Sequence, residues 1–333
     1  MNLANVFRGD AFSFLTLTTA LNLLPIEAGS ADDVAKFTQS GINTLTVMVE
    51  EKEGKIGIVP TAPRGSVGRA QSSKRRKVRT FAVPHYPTYD AILASEVQGV
   101  RQFGSTDTME TVESKLAEKQ TDMQAYLNRT QNFGKWGAIQ GVLYDEDGSV
   151  IYDWFDEFGV PRNEFTIDLD DPNLNLVAEL IKLKRQAEKE LGGYSYSKFV
   201  LPLPAAVFDR FVAHISIRDA YNRWQDGAFL RADNRKGFIL ADNVEIRSVD
   251  VIDIGNGLTI IPEDAGFLVP DAAALFKMNF SPADTLEAAN TIGLPYYMGS
   301  EPMPFGRGVE LAAESNFVAY NEKPRAVVRV NFI

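Results

Sequence analysis

Two segments of alternating apolar and polar residues flank a stretch that has almost nothing to bury. Residues 44–50 and 78–83 alternate in the way that half-buried β-strands do. Residues 60–77 between them contain two prolines, two glycines and a single valine. Such a stretch cannot offset the entropy of ordering by burial. The sequence therefore predicts that residues 43–83 form a long two-stranded excursion with an extended tip that orders only when something binds it.

The excursion is also the most basic part of the chain. The whole chain has 34 basic and 44 acidic residues and a net charge of −10, but residues 55–87 contain eight basic residues and no acidic one. The rest of the chain is therefore eight units more negative than the whole, at −18. We name these eight residues the basic strip: Lys55, Arg64, Arg69, Lys74, Arg75, Arg76, Lys77 and Arg79.

The basic strip has three possible roles. A nucleic-acid contact is disfavoured because residues 74–77 have no interleaved aromatic residues and the acidic body would repel phosphate. A localisation signal is possible, although four consecutive basic residues are a weak motif. The third role is docking on an acidic surface of a neighbouring copy, where charge complementarity guides orientation.

An acidic segment supplies the surface that the third role requires. Residues 145–171 contain ten acidic residues and one basic residue, Arg162. A homo-oligomer would therefore carry both halves of a complementary contact. The strip residues expected in it are Arg64, Arg69, Lys74, Arg75, Arg76, Lys77 and Arg79, and the acidic counter-surface is Asp145, Glu146, Asp147, Asp153, Asp156 and Glu157.

Composition removes most catalytic and cofactor classes. The chain has no cysteine, which excludes disulfides, thiolate nucleophiles and cysteine-ligated metals, and its two histidines, His85 and His214, are expected to be packed or turn residues. Phosphate-loop and dinucleotide glycine motifs are absent. No catalytic residue, cofactor or metal is expected.

The apolar segment 11–24 is interrupted by polar residues and lacks a small-residue cleavage site, so neither export nor a membrane anchor is expected.

One acidic pattern resembles a calcium loop. Asp168, Asp170 and Glu179 occupy positions 1, 3 and 12 of such a loop. Pro172 at position 5 and Asn173 in place of the glycine at position 6 break the pattern. Calcium binding is therefore not expected.

Helical and strand patterns alternate along the remaining chain. Asp107 and Glu110 form a capping pair for a helix over 107–132, which we call the spine helix because it would be about 39 Å long. Its expected apolar stripe is Met109, Val112, Leu116, Met123, Tyr126 and Leu127. A second hairpin is predicted at 138–144 and 149–155, and a helix from Asp171-Pro172 to Gly192-Gly193. Because helices and strands mix without βαβ order, the fold class is α+β.

Four longer blocks resemble the lambda-type major capsid protein E family of tailed phages. They are GIVPTAPRGSVGRA (57–70), RKVRTFAVPHYPTYDAILASEVQGVRQFGS (76–105), GAIQGVLYDEDGSVIYDWFDEFGV (137–160) and GLPYYMGSEPMPFGRGVELAAESNFVAYNEKPRAVVRV (293–330). With matching order and spacing, the similarity covers most of residues 40–330.

The resemblance implies the Hong Kong 97-like capsid fold. The expected parts are an N-terminal arm (1–42), an extended β-hairpin loop (43–83), a peripheral domain with the spine helix (84–169), an axial domain (170–285) and a return to the peripheral domain (286–333). The 138–155 hairpin and the final strand would both belong to the peripheral domain.

The implied function is structural. Copies would form the hexamers and pentamers of an icosahedral head shell that encloses double-stranded DNA without sequence-specific binding. The implied partners are other copies, a portal and a separate scaffold protein, with a decoration protein as an optional further partner. Assembly would take place in the host cytoplasm, and the protein would reside in the virion. The alternative is an encapsulin-like nanocompartment shell, and an enzyme with a basic substrate-binding loop is a more distant one.

Overall fold

The computed structural model describes residues 13–24, 30–52, 76–98, 112–218, 237–241, 243–250, 253–255, 258–272 and 274–333. The described helices are α1 (Phe14–Leu23), α2 (Ala94–Val97), α3 (Val112–Gln140), α4 (Trp154–Phe158), α5 (Leu176–Leu191) and α6 (Ala205–Ala213). The described strands are β1 (Phe37–Gly41), β2 (Thr46–Lys52), β3 (Arg76–Ala82), β4 (His85–Leu93), β5 (Val142–Tyr144), β6 (Val150–Asp153), β7 (Glu164–Ile167), β8 (Phe199–Pro204), β9 (Gly237–Leu240), β10 (Val244–Val249), β11 (Asp253–Gly255), β12 (Leu258–Thr259), β13 (Ala265–Pro270), β14 (Phe276–Phe280), β15 (Tyr297–Pro302), β16 (Gly308–Asn321) and β17 (Val328–Phe332). The mixture confirms the α+β class.

A five-stranded sheet is built around the 14-residue strand β16. The order is β1-β14-β16-β15, and β4 pairs antiparallel with β16 from His85 opposite Asn316 to Leu93 opposite Gly308. Alternate residues of β4, β15 and β16 point to one face and pack there against α1 and α3. The buried side chains of this layer include Leu17, Leu21, Ile92, Leu116, Met123, Leu127, Met298, Val309 and Leu311.

A six-stranded sheet carries the largest core cluster. Its order is β7-β17-β13-β8-β10-β9, and α5 and α6 contribute to its core. The buried face of α5 consists of Leu176, Leu180, Leu183, Ala187 and Leu191, which are the residues that the helical spacing predicts. Gly192 ends the helix at φ 61, a left-handed conformation that glycine adopts without strain.

The spine helix continues beyond its predicted end. Residues 107–111 lie outside the described residues, and α3 runs from Val112 to Gln140 instead of stopping near residue 132. Gly134 does not break it, because a Cβ at Gly134 would lie 2.5 Å from Phe317 Cε2, so the glycine lets β16 approach the helix closely. Tyr126, predicted in the apolar stripe, is instead 67% exposed.

Other element boundaries also differ from the prediction. Helix α5 begins at Leu176, capped by Asn175 Oδ1, which accepts from Ala178 N at 3.2 Å; Asp171 instead accepts from Asn173 N in the preceding turn. Residues 138–140 belong to α3, and Trp154 begins α4, so the second hairpin is only β5 and β6. An Asp or Asn before a helix does not by itself fix the first helical residue, because both side chains accept hydrogen bonds in turns as well as at helix N-caps.

The two strands of the excursion pair as predicted. Strands β2 and β3 are antiparallel, from Thr46 opposite Ala82 to Lys52 opposite Arg76. The tip at 53–75 lies outside the described residues.

The boundary placed at residue 285 does not separate the two sheets. The final strand β17, assigned to the peripheral domain with the 138–155 hairpin, pairs instead with β13 and β7 in the six-stranded sheet. Strand β14, within the predicted axial segment, pairs with β16 in the five-stranded sheet. These pairings join residues that are distant in sequence, so local pattern could not assign them.

Candidate assembly surfaces

Aromatic packing fixes the base of the β2–β3 hairpin. Phe81 meets Trp154 edge-on, with ring centroids 5.2 Å apart and planes at 89°. Tyr152 stacks on Trp154 at 5.1 Å and donates its hydroxyl to Ala82 O at 2.9 Å. Because Phe81 is buried against residues of α4 and β6, the hairpin leaves the body from a packed base.

Arg79, the last residue of the basic strip, is engaged within its own chain. Its guanidinium donates to the carbonyl oxygens of Glu157 and Phe158, the latter at 3.1 Å, and lies 5.5 Å from the centre of the Phe158 ring. Carbonyls at the end of a short helix attract a cation. Arg79 therefore secures the hairpin base to α4.

Two further residues of the basic strip, Arg76 and Lys77, belong to β3. The backbones of Arg76 and Lys77 pair with Lys52 and Glu51 at the last described rungs of the ladder. The other predicted contact residues, Arg64, Arg69, Lys74 and Arg75, lie outside the described residues together with Lys55. Their docking role stays a prediction.

Three of the predicted acidic residues form the exposed turn between β5 and β6. Asp145 Oδ1 accepts from Glu146 N at 2.8 Å, and Asp147 Oδ1 accepts from Ser149 N at 2.8 Å. Hydrogen bonds from the Ser149 side chain and backbone lower the pKa of Asp147. Charged side chains at this turn are therefore placed in solvent by local turn chemistry.

The other three acidic residues lie at the opposite end of the same hairpin. Asp153 caps α4 by accepting from Phe155 N at 3.0 Å, and its other oxygen accepts from Arg162 Nη2 at 2.7 Å. Asp156 and Glu157 are exposed in the first turn of α4. Strand rise separates the two groups by about 10 Å, so the predicted counter-surface is two acidic patches, and the charge of Asp153 is paired internally.

A cleft of about 540 Å³ opens beside the acidic turn. It lies between the start of β4, the middle of α3 and the β5–β6 turn. The lining residues are His85, Tyr86, Pro87, Thr88, Tyr126, Leu127, Arg129, Thr130, Phe133, Tyr144, Asp145 and Glu146. Burial raises the pKa of Tyr86, and the nearby Asp145 carboxylate adds to the rise. The cleft is thus aromatic, with two carboxylates and one guanidinium among its lining groups.

Sequence reasoning missed this cleft. Its walls come from three segments that are up to about 60 residues apart, as the numbering of His85 and Glu146 shows. No sequence pattern indicated it, because the spacing of Tyr126 predicts a buried ring whereas the ring is exposed at the cleft.

Both histidines have structural contacts. His85 Nδ1 lies 2.8 Å from Asn316 Oδ1 and 3.5 Å from Glu314 Oε2, which links β4 to β16. The buried His214 lies between Ser216 Oγ, 2.8 Å from Nδ1, and the carbonyl oxygen of Asp171, 3.0 Å from Nε2. The same Ser216 hydroxyl accepts from Leu176 N at 3.3 Å, so this cluster organises the start of α5.

The three residues of the calcium-like pattern are engaged separately. Asp168 accepts from the backbone of Asp170, Asp170 pairs with Arg210 at 2.9 Å, and Glu179 pairs with Lys182 at 2.7 Å. Among the described residues, no group of three or more acidic or histidine side chains is arranged to hold a metal ion.

No helix in the described part of the chain has both the length and the apolar character needed to cross a bilayer.

Comparison with known proteins gives consistent matches over nearly the whole chain. Residues 13–332 match the family model described as phage major capsid protein E. The chain is 26% identical over 339 residues to the major capsid protein of Pseudomonas phage KPP10, and 22% identical over 358 residues to that of Salmonella phage Felix O1; each alignment covers 96% of both proteins. Its structure resembles that in the capsid of cyanophage P-SCSP1u, with a TM-score of 0.53 at 8% identity, covering 90% of this chain and 86% of that one.

Proposed function

The chain belongs to the phage major capsid protein E family, and from this premise we propose that its copies form hexamers and pentamers that close into an icosahedral head shell around double-stranded DNA. The observation that carries the proposal is the family match over residues 13–332. The fold is Hong Kong 97-like, and the chain is a major capsid protein of a tailed phage. This identity implies a structural role and not an enzymatic one.

The β2–β3 hairpin supplies the proposed link between subunits. Its base is fixed by Phe81 and Arg79, and the segment between its two strands carries most of the basic strip in the sequence. We assign the tip to an acidic surface on an adjacent copy, for which the exposed turn 145–147 offers three carboxylates. Opposite charges on the two surfaces would steer the encounter and fix its orientation.

A shell of this kind implies three further partners. They are a portal, a separate scaffold protein and a decoration protein. Assembly would take place in the host cytoplasm before residence in the virion. A chain with a net charge of −10 suits a wall that encloses DNA without gripping it.

Electron microscopy of the purified chain tests the proposal. We expect closed shells or rings of five and six subunits. Particles that carry packaged protein cargo would favour the nanocompartment alternative, whereas a stable monomer at all concentrations would contradict shell formation.

Charge reversal tests the role of the strip. Changing Lys74, Arg75, Arg76 and Lys77 to Glu should leave the subunit folded but block or misdirect assembly, and changing Glu146 and Asp147 to Lys in the same chain should restore part of it. A control with half the charge change reverses Arg185 and Lys189, exposed cations on α5, and should assemble normally. Normal shells from the strip variant would refute the docking role.

A further inference from the structure

The turn between β15 and β16 exposes an aromatic side chain at a strained position. Phe305 is 94% exposed and has φ 64 and ψ 16, a left-handed conformation that is unfavourable for a bulky residue. The turn is otherwise well formed: Met303 N donates to Gly308 O at 2.9 Å, and Gly306 N donates to Met303 O at 3.2 Å. An exposed, strained phenylalanine is costly to the free subunit and suggests a contact with something else.

A cation stands beside this ring. The Arg307 guanidinium lies 5.8 Å from the centre of the Phe305 ring and is exposed. The tip therefore presents an apolar ring and a positive charge together. We call Phe305 and Arg307 the knob.

The cleft at His85–Thr88 has the complementary properties. Its walls include the rings of Tyr86, Tyr126 and Phe133, and its volume falls in the range of roughly 300–1,000 Å³ that is typical of ligand pockets. Asp145 lies at one side and makes no ion pair among the described residues. Aromatic walls accept a phenyl ring edge-on or offset, and a carboxylate beside them would pair with a guanidinium.

A chain cannot place its knob in its own cleft. Strand β4 lines the cleft at His85–Thr88, whereas the knob adjoins the other end of β4, where Leu93 is paired with Gly308. Five residue steps from Thr88 to Leu93 already separate the two by about 17 Å. The occupant must therefore come from another molecule.

We propose that the knob of one copy docks in the cleft of a neighbouring copy, with the Phe305 ring between the aromatic walls and Arg307 against Asp145. The contact joins two different surfaces of identical chains, so it is heterologous and propagates from copy to copy into rings or extended lattices. It rests on the proposed function, because it is a contact between assembled subunits. It differs from the docking of the basic strip, for which Glu146 and Asp147 of the same turn remain available.

Disulfide trapping tests the contact in a chain that has no cysteine of its own. The variants Pro304→Cys, next to the knob, and Thr130→Cys, in the cleft, are co-assembled and oxidised. We expect a disulfide-linked dimer that contains one copy of each. The matched control pairs Pro304→Cys with Ile239→Cys, an exposed position on β9, and should give at least tenfold less dimer.

Particles that form normally but cross-link no better than the control would overturn the docking and leave the proposed function intact. Failure of the unsubstituted chain to form any particle would overturn both.

Substitutions in the knob and in the cleft provide a second test. Phe305→Ala should raise the concentration needed for assembly at least about tenfold, as expected for a buried aromatic anchor, without lowering the thermal stability of the unassembled subunit. Arg307→Glu should also impair assembly, and adding Asp145→Lys should restore it. Unimpaired assembly of both single variants, or no rescue by the pair, would contradict the contact.

Discussion

Lys135 Nζ lies 2.7 Å from both carboxylate oxygens of Asp32, and this ion pair ties the spine helix to the N-terminal segment. The lysine is almost fully buried, with 8% of its side chain exposed, whereas Asp32 is 33% exposed. Its ammonium group also lies 5.9 Å from the centre of the Phe37 ring in β1. One buried cation thus connects three parts of the chain.

This arrangement predicts unequal effects of removing the two partners. Asp32→Asn leaves a buried ammonium without its counter-charge and should cost about 2 kcal/mol of unfolding free energy, a value below that of fully buried pairs because Asp32 is partly in solvent. Lys135→Met removes the buried charge itself and should cost less. Urea unfolding of the unassembled subunit measures both, and a larger loss for Lys135→Met would contradict the prediction.

Two fully buried tryptophans differ in whether the indole N–H has a hydrogen-bond partner. Trp136 Nε1 donates to Ser30 Oγ at 2.9 Å, while Trp154 Nε1 finds no partner within the described part of the chain. Replacing either with phenylalanine removes the same ring atoms, but only Trp136→Phe breaks a bond. We expect Trp136→Phe to be the more destabilising, by about 1 kcal/mol. Denaturant unfolding followed by circular dichroism gives the difference; equal losses would mean that the bond adds nothing.

The close approach at Gly134 predicts that a better helix former will destabilise the protein. Gly134→Ala should gain about 1 kcal/mol from helix propensity, but its Cβ would overlap the buried ring of Phe317. Overpacking in a core typically costs about 1–3 kcal/mol, so we expect a lower melting temperature. The control Ala125→Gly, at an exposed site on the same helix, should lose about 1 kcal/mol through propensity alone. A stabilised Gly134→Ala variant would rule out the clash.

The pair Glu190–Arg325 predicts a pH dependence. Arg325 donates to the two carboxylate oxygens at 3.0 and 2.9 Å, and these bonds lower the pKa of Glu190 from its usual 4.5. Because the folded pKa lies below the unfolded one, the contribution is complete above about pH 4.5 and is lost as the pH falls through the lower folded value. Both groups are partly exposed, so it should not exceed about 1 kcal/mol.

Unfolding of the wild type and of Glu190→Gln, measured between pH 7 and pH 3, checks this dependence. The stability difference should be constant near neutrality and shrink in acid. A difference that grows below pH 4.5 would have the wrong sign.

The sequence pattern correctly predicted the elements whose formation depends on residues close together in the chain. The buried face of α5 and its end at Gly192 follow from helical spacing and from the glycine at the cap. Strands β2 and β3 follow from alternation on either side of a stretch that cannot bury itself. Where the structure depends on partners distant in sequence, the prediction was wrong: α3 continues through Gly134 because Phe317 occupies the space beside it, and β17 joins β13 and β7.

The candidate assembly surfaces were also predicted only where the signal is local in the sequence. The acidic turn 145–147 was predicted from composition and is exposed, whereas the internal use of Arg79 and Asp153 depends on α4 and Arg162 and gave no sequence signal. The cleft was not predicted because three separate segments line it. The left-handed backbone of Phe305 could not be predicted from the sequence either. Glycine is the residue expected in such a conformation, so the pattern would have placed it at the next residue, Gly306.

A cryo-electron microscopy reconstruction of the assembled protein tests the central claim most directly. The account predicts an icosahedral shell of hexamers and pentamers in which the β2–β3 hairpin of each copy lies against an adjacent copy. Particles without icosahedral symmetry, or a hairpin that contacts only its own chain, would contradict it.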